Sequence, residues 1–455
     1  MSKAPWIRFY RNGRLSDVLT FDTLDQRVDD LCARYEKMGL KTGDRVIVAL
    51  NNSIDAVITY LALLRAQIIA VPVNPNESAA WLNYVREHSG ACALVTKDGI
   101  TDIKDNHHRY GSPSSQVSTI IYTSGTTGSP KGVSLGWKNW KANGTALNQH
   151  HRVDSHTIHA SPLPLYHCNA HGFSMFGTYL AKCTWVMFDG VEPDFLQVID
   201  SESAEIVSLV PPLLEKLLRA NSRWKPHSGL RSIITAAAPL SGALLREVLD
   251  SWNVRVIQGY GLSESTNFSC TMPVDLPDDL YRKVMLPNPS VGVALPGIEV
   301  RVGEDDKEEL VGELQIRSSS NCLGYWGDDS PSGEWIRTGD LGYYRTIERA
   351  RFYYLTGRIK EQINRGGETI SPVFIEEELR MLGLDGDFAV VPIPDPRLGE
   401  EVGLASAGHV ESRLLQGVPW HRRPKRVFIV DNIPLTPSGK VQRTRLSEMI
   451  KNSFL

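Results

Sequence analysis

The stretch from Thr20 to Asn74 constrains this chain more than any other, because it switches repeatedly between two apolar periods. "TFDTLDQRVDDLCARYEKMGL" repeats Leu24, Val28, Leu31 and Tyr35 at helical spacing. A turn at Lys41-Thr42-Gly43-Asp44 leads into "RVIVAL", which is short and apolar throughout, as a strand covered on both faces must be. "SIDAVITYLALLRAQ" reads as a helix again and "IIAVPVN" as the next strand. Strands joined through helices run parallel, so an α/β fold built on helix-flanked sheets is expected. The rhythm resumes in "TWVMFD", "AEIVSLV", "PPLLEKLLRANS", "LRSIITAAA", "LSGALLREVLDSW" and "VRVIQGYG". From about Val291 short strands and frequent turns take over ("GIEVRVGED", "GELQIRS", "RFYYL"), and near Arg358 a mixed α+β texture begins. A chain of 455 residues exceeds one ordinary core. The expected organisation is a multidomain α/β chain: a large N-terminal domain with a small strand-rich subdomain, residues 1–359, and a small α+β C-terminal domain, residues 360–455.

The polar segment "KDGITDIKDNHHRYGSPSSQ", residues 97–116, is expected to be a loop. A net charge of -3 gives no electrostatic case for a nucleic-acid partner. The most apolar stretch, Ala56 to Val73, is interrupted by Arg65, Gln67 and Pro72, which favours a buried helix and strand over a membrane span. "MSKAPWIRFYRNGRL" lacks the apolar centre of a secretion signal, and six scattered cysteines form no CxxC pair. Free thiols and a cytoplasmic location are expected. Half of the twelve histidines lie between His150 and His171, at spacings that match no structural zinc site.

Between two strand-like runs, "VSTIIY" and "GVSLGW", lies Thr123-Ser124-Gly125-Thr126-Thr127-Gly128-Ser129-Pro130-Lys131-Gly132. A Walker loop needs Gly-Lys-Ser/Thr five residues after its first glycine; here Pro130 stands there and Gly132 follows the lysine. The chemistry still suits phosphate. Glycines let backbone N–H groups approach an anion, hydroxyls donate to its oxygens, and the lysine adds charge.

"YTSGTTGSPKGV" resembles the signature loop of the adenylate-forming superfamily, which includes acyl- and aryl-CoA synthetases, peptide-synthetase adenylation domains and luciferases. Other motifs follow in the family's order: "QGYGLSES" (Gln258–Ser265), "RTGDLGYY" (Arg337–Tyr344), "LTGRIKEQINRGGETISPVFIEEEL" (Leu355–Leu379) and "PLTPSGKVQR" (Pro434–Arg443). The resemblance implies that ATP and a carboxylic acid form acyl-AMP with release of pyrophosphate. It assigns Thr123, Ser124, Gly125, Thr126, Thr127, Gly128 and Lys131 to the phosphates and Glu264 to Mg2+. Ser263, a threonine in most members, would meet the α-phosphate. Gln258, Gly259, Tyr260 and Ala237 would flank adenine, with Tyr260 stacked on it, and Asp340 and Arg358 would hold the ribose. Lys440 would bridge the carboxylate and the α-phosphate. His167, in "LPLYHCNAHGF", would border the acid together with Ala236 and Gly261, and no "FDxS" for an α-ammonium is present.

In the family the C-terminal domain is mobile. It first presents the lysine, then turns at a hinge, here Lys360, so that a glycine pair, here Gly366 and Gly367, admits a pantetheine arm. CoA is the cosubstrate so implied; a carrier-protein phosphopantetheine or an amine is the alternative acceptor. Two segments are shorter than in typical members, the one before the phosphate loop and "EVGLASAGHVESRLLQGVPWHRRPKRV", which leaves about two turns of helix before the last strand. The second touches the face that meets the acceptor. The basic run His421–Arg426 would suit a CoA phosphate or an acidic carrier.

Overall fold

The computed structural model describes residues 5–103, 116–123, 130–328, 333–435 and 440–451. Several of its helices begin where the sequence supplies caps. Thr20 accepts from the Thr23 amide ahead of helix Phe21–Lys37, and Ser53 accepts from the Ala56 amide ahead of Ile54–Arg65. The second helix is buried almost all round and strand Ile69–Pro72 behind it is buried throughout, so Ala56–Val73 is largely interior, with Arg65 and Gln67 exposed between the two. Among the described residues no helix is long and apolar enough to cross a membrane.

The fold is α/β. Strand Arg45–Val48 lies parallel between Ile69–Pro72 and Ala93–Thr96 in a seven-stranded sheet. A second sheet, of nine strands, runs parallel through Ile7–Arg11, Thr184–Phe188, Ile158–Ser161, Ile206–Leu209, Ser232–Thr235 and Val256–Gly261. Val-, Ile- and Leu-rich strands of this kind need cover on both faces. Helices Trp137–His151, Pro211–Ala220 and Gly242–Ser251 bury Leu147, Leu214, Leu218, Leu245 and Val248 in the same apolar cluster as the strands. Beyond Val291 the chain makes a four-stranded antiparallel sheet of Ile298–Val302, Gly312–Ser318, Ile336–Ile347 and Ala350–Arg358. A single turn, Ile359–Glu361, then leads into a five-stranded sheet packed by Pro372–Met381 and Arg443–Lys451. The buried apolar clusters of this last region draw on residues 363–450 alone.

One sequence expectation changes, and two features add to what the sequence shows. Residues 97–116 are not all loop: Gly99–Asp102 is an edge strand paired with Ala93–Thr96, and its side chains mostly face water, which hid its period. Gly324–Tyr325 leaves the strand-rich region and adds an edge to the seven-stranded sheet beside Lys131–Gly136. Ala170–Gly177 winds as a fully buried π-helix, a form frequent at functional sites. Helix Ser412–Gln416 is as short as "about two turns" allows. All six cysteines are free thiols.

Candidate active site

The strands expected on either side of the phosphate loop are Val117–Thr123 and Lys131–Gly136. They pair antiparallel with Thr123 opposite Lys131, so the loop's two ends are fixed face to face. Ser124, Gly125, Thr126, Thr127 and Gly128 lie outside the described residues, as do Ser438 and Gly439. The Lys131 ammonium stands 4.6 Å from the centre of the Tyr325 ring, whose hydroxyl donates to Glu264 Oε1 at 2.9 Å. Among the described residues no partner takes Glu264 Oε2. One directed and one open carboxylate oxygen suit Mg2+, which binds through one or two carboxylates and substrate phosphates. Beside Glu264, the Ser263 hydroxyl accepts from the Cys168 thiol at 3.3 Å. Burial pushes that thiol up to about 12, so it stays protonated and donates.

Asp340 and Arg358 are cross-strand partners in the four-stranded sheet. Arg358 Nε lies 2.9 Å from Asp340 Oδ1, and the Tyr260 hydroxyl donates to Oδ2 at 2.9 Å. Two oriented carboxylate oxygens, each with a lone pair to spare, can still receive a cis-diol. Tyr260 is only 6% exposed, so little of its ring is open for a base to cover. Ala237 has φ +70°, a left-handed conformation that costs a residue with a Cβ, and it is exposed where Ala236 is buried. Gln258 is buried with Oε1 unpartnered among the described residues, next to Thr235, whose hydroxyl is likewise unpartnered. Gly259 lies against the Phe268 ring, and at Gly261 a Cβ would stand 1.7 Å from the Asn267 carbonyl oxygen, so close strand approach alone demands glycine there.

Lys440 reaches this place from the C-terminal region. Burial first, then the positive charge of Arg358, lowers its ammonium below the usual lysine range, while Asp340, Glu361 and Glu264 oppose the shift. His167 is open to solvent yet hemmed in by protein, as a side chain lining a cleft is; burial and then Lys440 push its imidazole down to about 4. The structure thus gathers His167, Glu264, Asp340, Arg358 and Lys440. Gly366 and Gly367 sit apart in an exposed hairpin turn, at φ +58° and +89°, where Gly366 donates to Leu398. Lys360 occupies the turn between the two last sheets.

The AMP-binding enzyme family matches residues 8–113 and 104–326, which carry the phosphate loop, Ser263, Glu264 and Tyr325. The chain belongs to this family. The 2-succinylbenzoate–CoA ligase of Enterococcus faecalis is 25% identical over 475 residues, 96% of this chain and 95% of that protein. The mitochondrial medium-chain acyl-CoA ligase ACSF2 of Macaca fascicularis is 27% identical over 523 residues, 95% of this chain and 83% of its own. In fold the chain is similar to ATP-bound MatB from Rhodopseudomonas palustris, with a TM-score of 0.84 at 24% identity, over 100% of this chain and 97% of that one.

For an AMP-binding enzyme, two groups carry more of the site than the sequence suggested. Tyr325, in "GYWGDD", carries no local sequence signal, because a two-residue strand has no readable period. Arg443 ends the quoted lysine motif. It is buried, donates through Nε to Glu361 at 3.0 Å, and holds both Glu376 oxygens at 2.6 and 3.0 Å. The Lys440 segment is thereby tied to the turn that carries Lys360. An arginine three residues past the lysine, with carboxylates at 361 and 376, was the available signal.

Proposed function

We propose that this protein activates a carboxylic acid with ATP and passes the acyl group to the thiol of CoA. The observation that carries the reading is that Lys440, from the C-terminal region, lies within electrostatic reach of Glu264 and of the Asp340–Arg358 strand pair. The names of its relatives, acyl- and aryl-CoA ligases, support CoA as acceptor.

In the first half-reaction a carboxylate oxygen attacks the α-phosphorus, the bond to the bridging β-oxygen breaks, and pyrophosphate leaves. Asp340 and Arg358 would fix the ribose, with Tyr260, Gln258, Gly259 and Ala237 at the base. The loop from Thr123 to Lys131 would take the outer phosphates. Ser263 would donate to the α-phosphate, its rotamer set by Cys168. Glu264 would hold a magnesium ion, which supplies charge neutralisation to the phosphoryl oxygens. Lys440, stripped of much of its water, would bridge acid and α-phosphate, where a desolvated cation acts most strongly. Neutral His167 would border the acid without repelling Lys440, beside Ala236 and Gly261.

In the second half-reaction residues 360–455 would turn about Lys360 against residues 1–359, removing Lys440 and bringing Gly366 and Gly367 to the pantetheine. Separate apolar clusters on either side of the turn support division at this point. Six free thiols suit a reducing compartment, the cytoplasm.

The test is acid-dependent pyrophosphate release over aliphatic, aryl and amino acids, with CoA, carrier protein or amine supplied as acceptor. The reading expects AMP with at least one acid and an acyl-CoA product. AMP with a carrier-bound or amide product replaces the acceptor, and no AMP with any acid overturns the reading.

A further inference from the structure

We infer that Tyr325 is a positioning residue that holds Glu264 and Lys131 apart, and each in place, before the nucleotide arrives; this rests on the roles proposed above for those two charges. The geometry is specific. Gly324 pairs with Ser134 and Tyr325 with Val133, so Tyr325 is the diagonal neighbour of Lys131 on the same sheet face. Amides on both sides pin the segment: Leu323 donates to the Ser134 carbonyl at 2.9 Å and Trp326 to the Gly132 carbonyl at 2.7 Å. At its start the Cys322 amide donates to the Glu264 carbonyl at 2.7 Å. One short run, Cys322–Trp326, therefore fastens the lysine strand to the turn that carries the carboxylate.

A single side chain then serves both charges. Its hydroxyl donates to Glu264 Oε1, and its ring face receives the Lys131 ammonium. Half-buried opposite charges that share one neighbour would otherwise be free to form an ion pair that incoming phosphates and metal must break. With Tyr325 engaging both, Glu264 keeps an oxygen open and Lys131 keeps a soft partner that phosphate can replace. Phenylalanine at this position keeps the ring and loses the donor; leucine loses both.

Purified Tyr325→Phe and Tyr325→Leu are compared with the parent by calorimetric binding of a non-cleavable ATP analogue over a magnesium series, with thermal melts alongside. Loss of a hydrogen bond to a charged group predicts that Tyr325→Phe needs about tenfold more Mg2+ for half-saturation, with near-parental affinity once magnesium saturates. Tyr325→Leu shows the same magnesium shift plus about threefold weaker analogue binding at saturating Mg2+, from the lost cation–π contact. Parental magnesium dependence in Tyr325→Phe overturns the inference. So does an equal loss in both variants with lowered melting temperatures, which would mark a broken strand. Because the readout is binding, it holds even if the parent releases no pyrophosphate with any acid, a result that would instead defeat the proposed reaction.

Discussion

Asp340 and Arg358 stand opposite each other on neighbouring strands of one sheet, whereas Lys440 reaches the same place from outside any strand, in the region beyond the Ile359–Glu361 turn. The first pair is fixed by backbone register: neither residue can move without breaking a ladder that extends to Ile347 and Ala350. Lys440 has no such ladder and depends on Arg443, gripped by Glu361 and Glu376. The pair proposed to bind the nucleotide is thus set by a rigid sheet, and the cation proposed to react is set by a buried charge cluster drawn from residues 360–455 alone. A site built in this way can bind one substrate continuously while it presents and withdraws a catalytic group.

The largest expected effect separates the two halves outright. Lys440→Ala should slow acid-dependent pyrophosphate release by about a hundred- to a thousandfold, the scale for removing one group that stabilises developing charge. Conversion of added acyl-AMP to thioester should stay near the parental rate, and equal loss of both steps would break the comparison. Asp340→Asn should lower kcat/KM for ATP by about ten- to a hundredfold, because it weakens hydrogen bonds to a charged group. Steady-state kinetics at saturating acid will show that loss mainly in KM if the sheet-borne pair binds rather than reacts.

Arg443→Met sharpens the contrast from the other side. It leaves the Glu361 and Glu376 carboxylates without their cation, at a cost of about 3–5 kcal/mol for breaking a buried pair. The C-terminal region should melt earlier and adenylation should fall, while ATP affinity, read by analogue binding, should hold. Adding Glu376→Gln should recover part of the melting temperature.

The two regions should also respond oppositely to pH. Burial pushes His159 down to about 3 and His171 down to about 4 in the large region. Their depressed values contribute stability that is present above about 6.5, the ordinary histidine value, and is lost as pH falls toward 4. In helix Pro372–Met381, burial first and then Glu376 raise Glu377 to about 7, with Arg380 opposing. That raised value contributes stability that is full below the ordinary glutamate range and is lost as pH rises through 7. Hydrogen exchange at pH 5 and pH 8 should show the large region loosening in acid and the C-terminal region loosening in base, with Glu377→Gln abolishing the latter. The smallest effect is expected from Cys168→Ser, which keeps a donor for Ser263; pyrophosphate release should change by less than about threefold, within the range of an ordinary hydrogen bond.

What the sequence made legible follows from the range of the forces involved. Period and caps act within a few residues, so Phe21–Lys37, Ile54–Arg65 and the strands around the phosphate loop could be read from the chain. Gly99–Asp102 could not, because an edge strand facing water keeps no apolar alternation. Family order of motifs placed Asp340, Arg358 and Lys440, but not the bond between the first two. That bond depends on hairpin register with an irregularity between Leu341 and Gly342. Tyr325 and Arg443 were hidden for a related reason: each acts on partners more than 60 residues away, at Glu264 and at Glu376. Such partners become visible only once the sheets are assembled.

The most direct test of the central claim follows oxygen. An acid that supports pyrophosphate release, labelled with oxygen-18 in its carboxylate, is turned over with ATP, Mg2+ and CoA, and the AMP is analysed by mass spectrometry. Attack of the carboxylate on the α-phosphorus predicts one labelled oxygen in AMP and none in pyrophosphate. Unlabelled AMP, or ADP with labelled phosphate, would contradict the account.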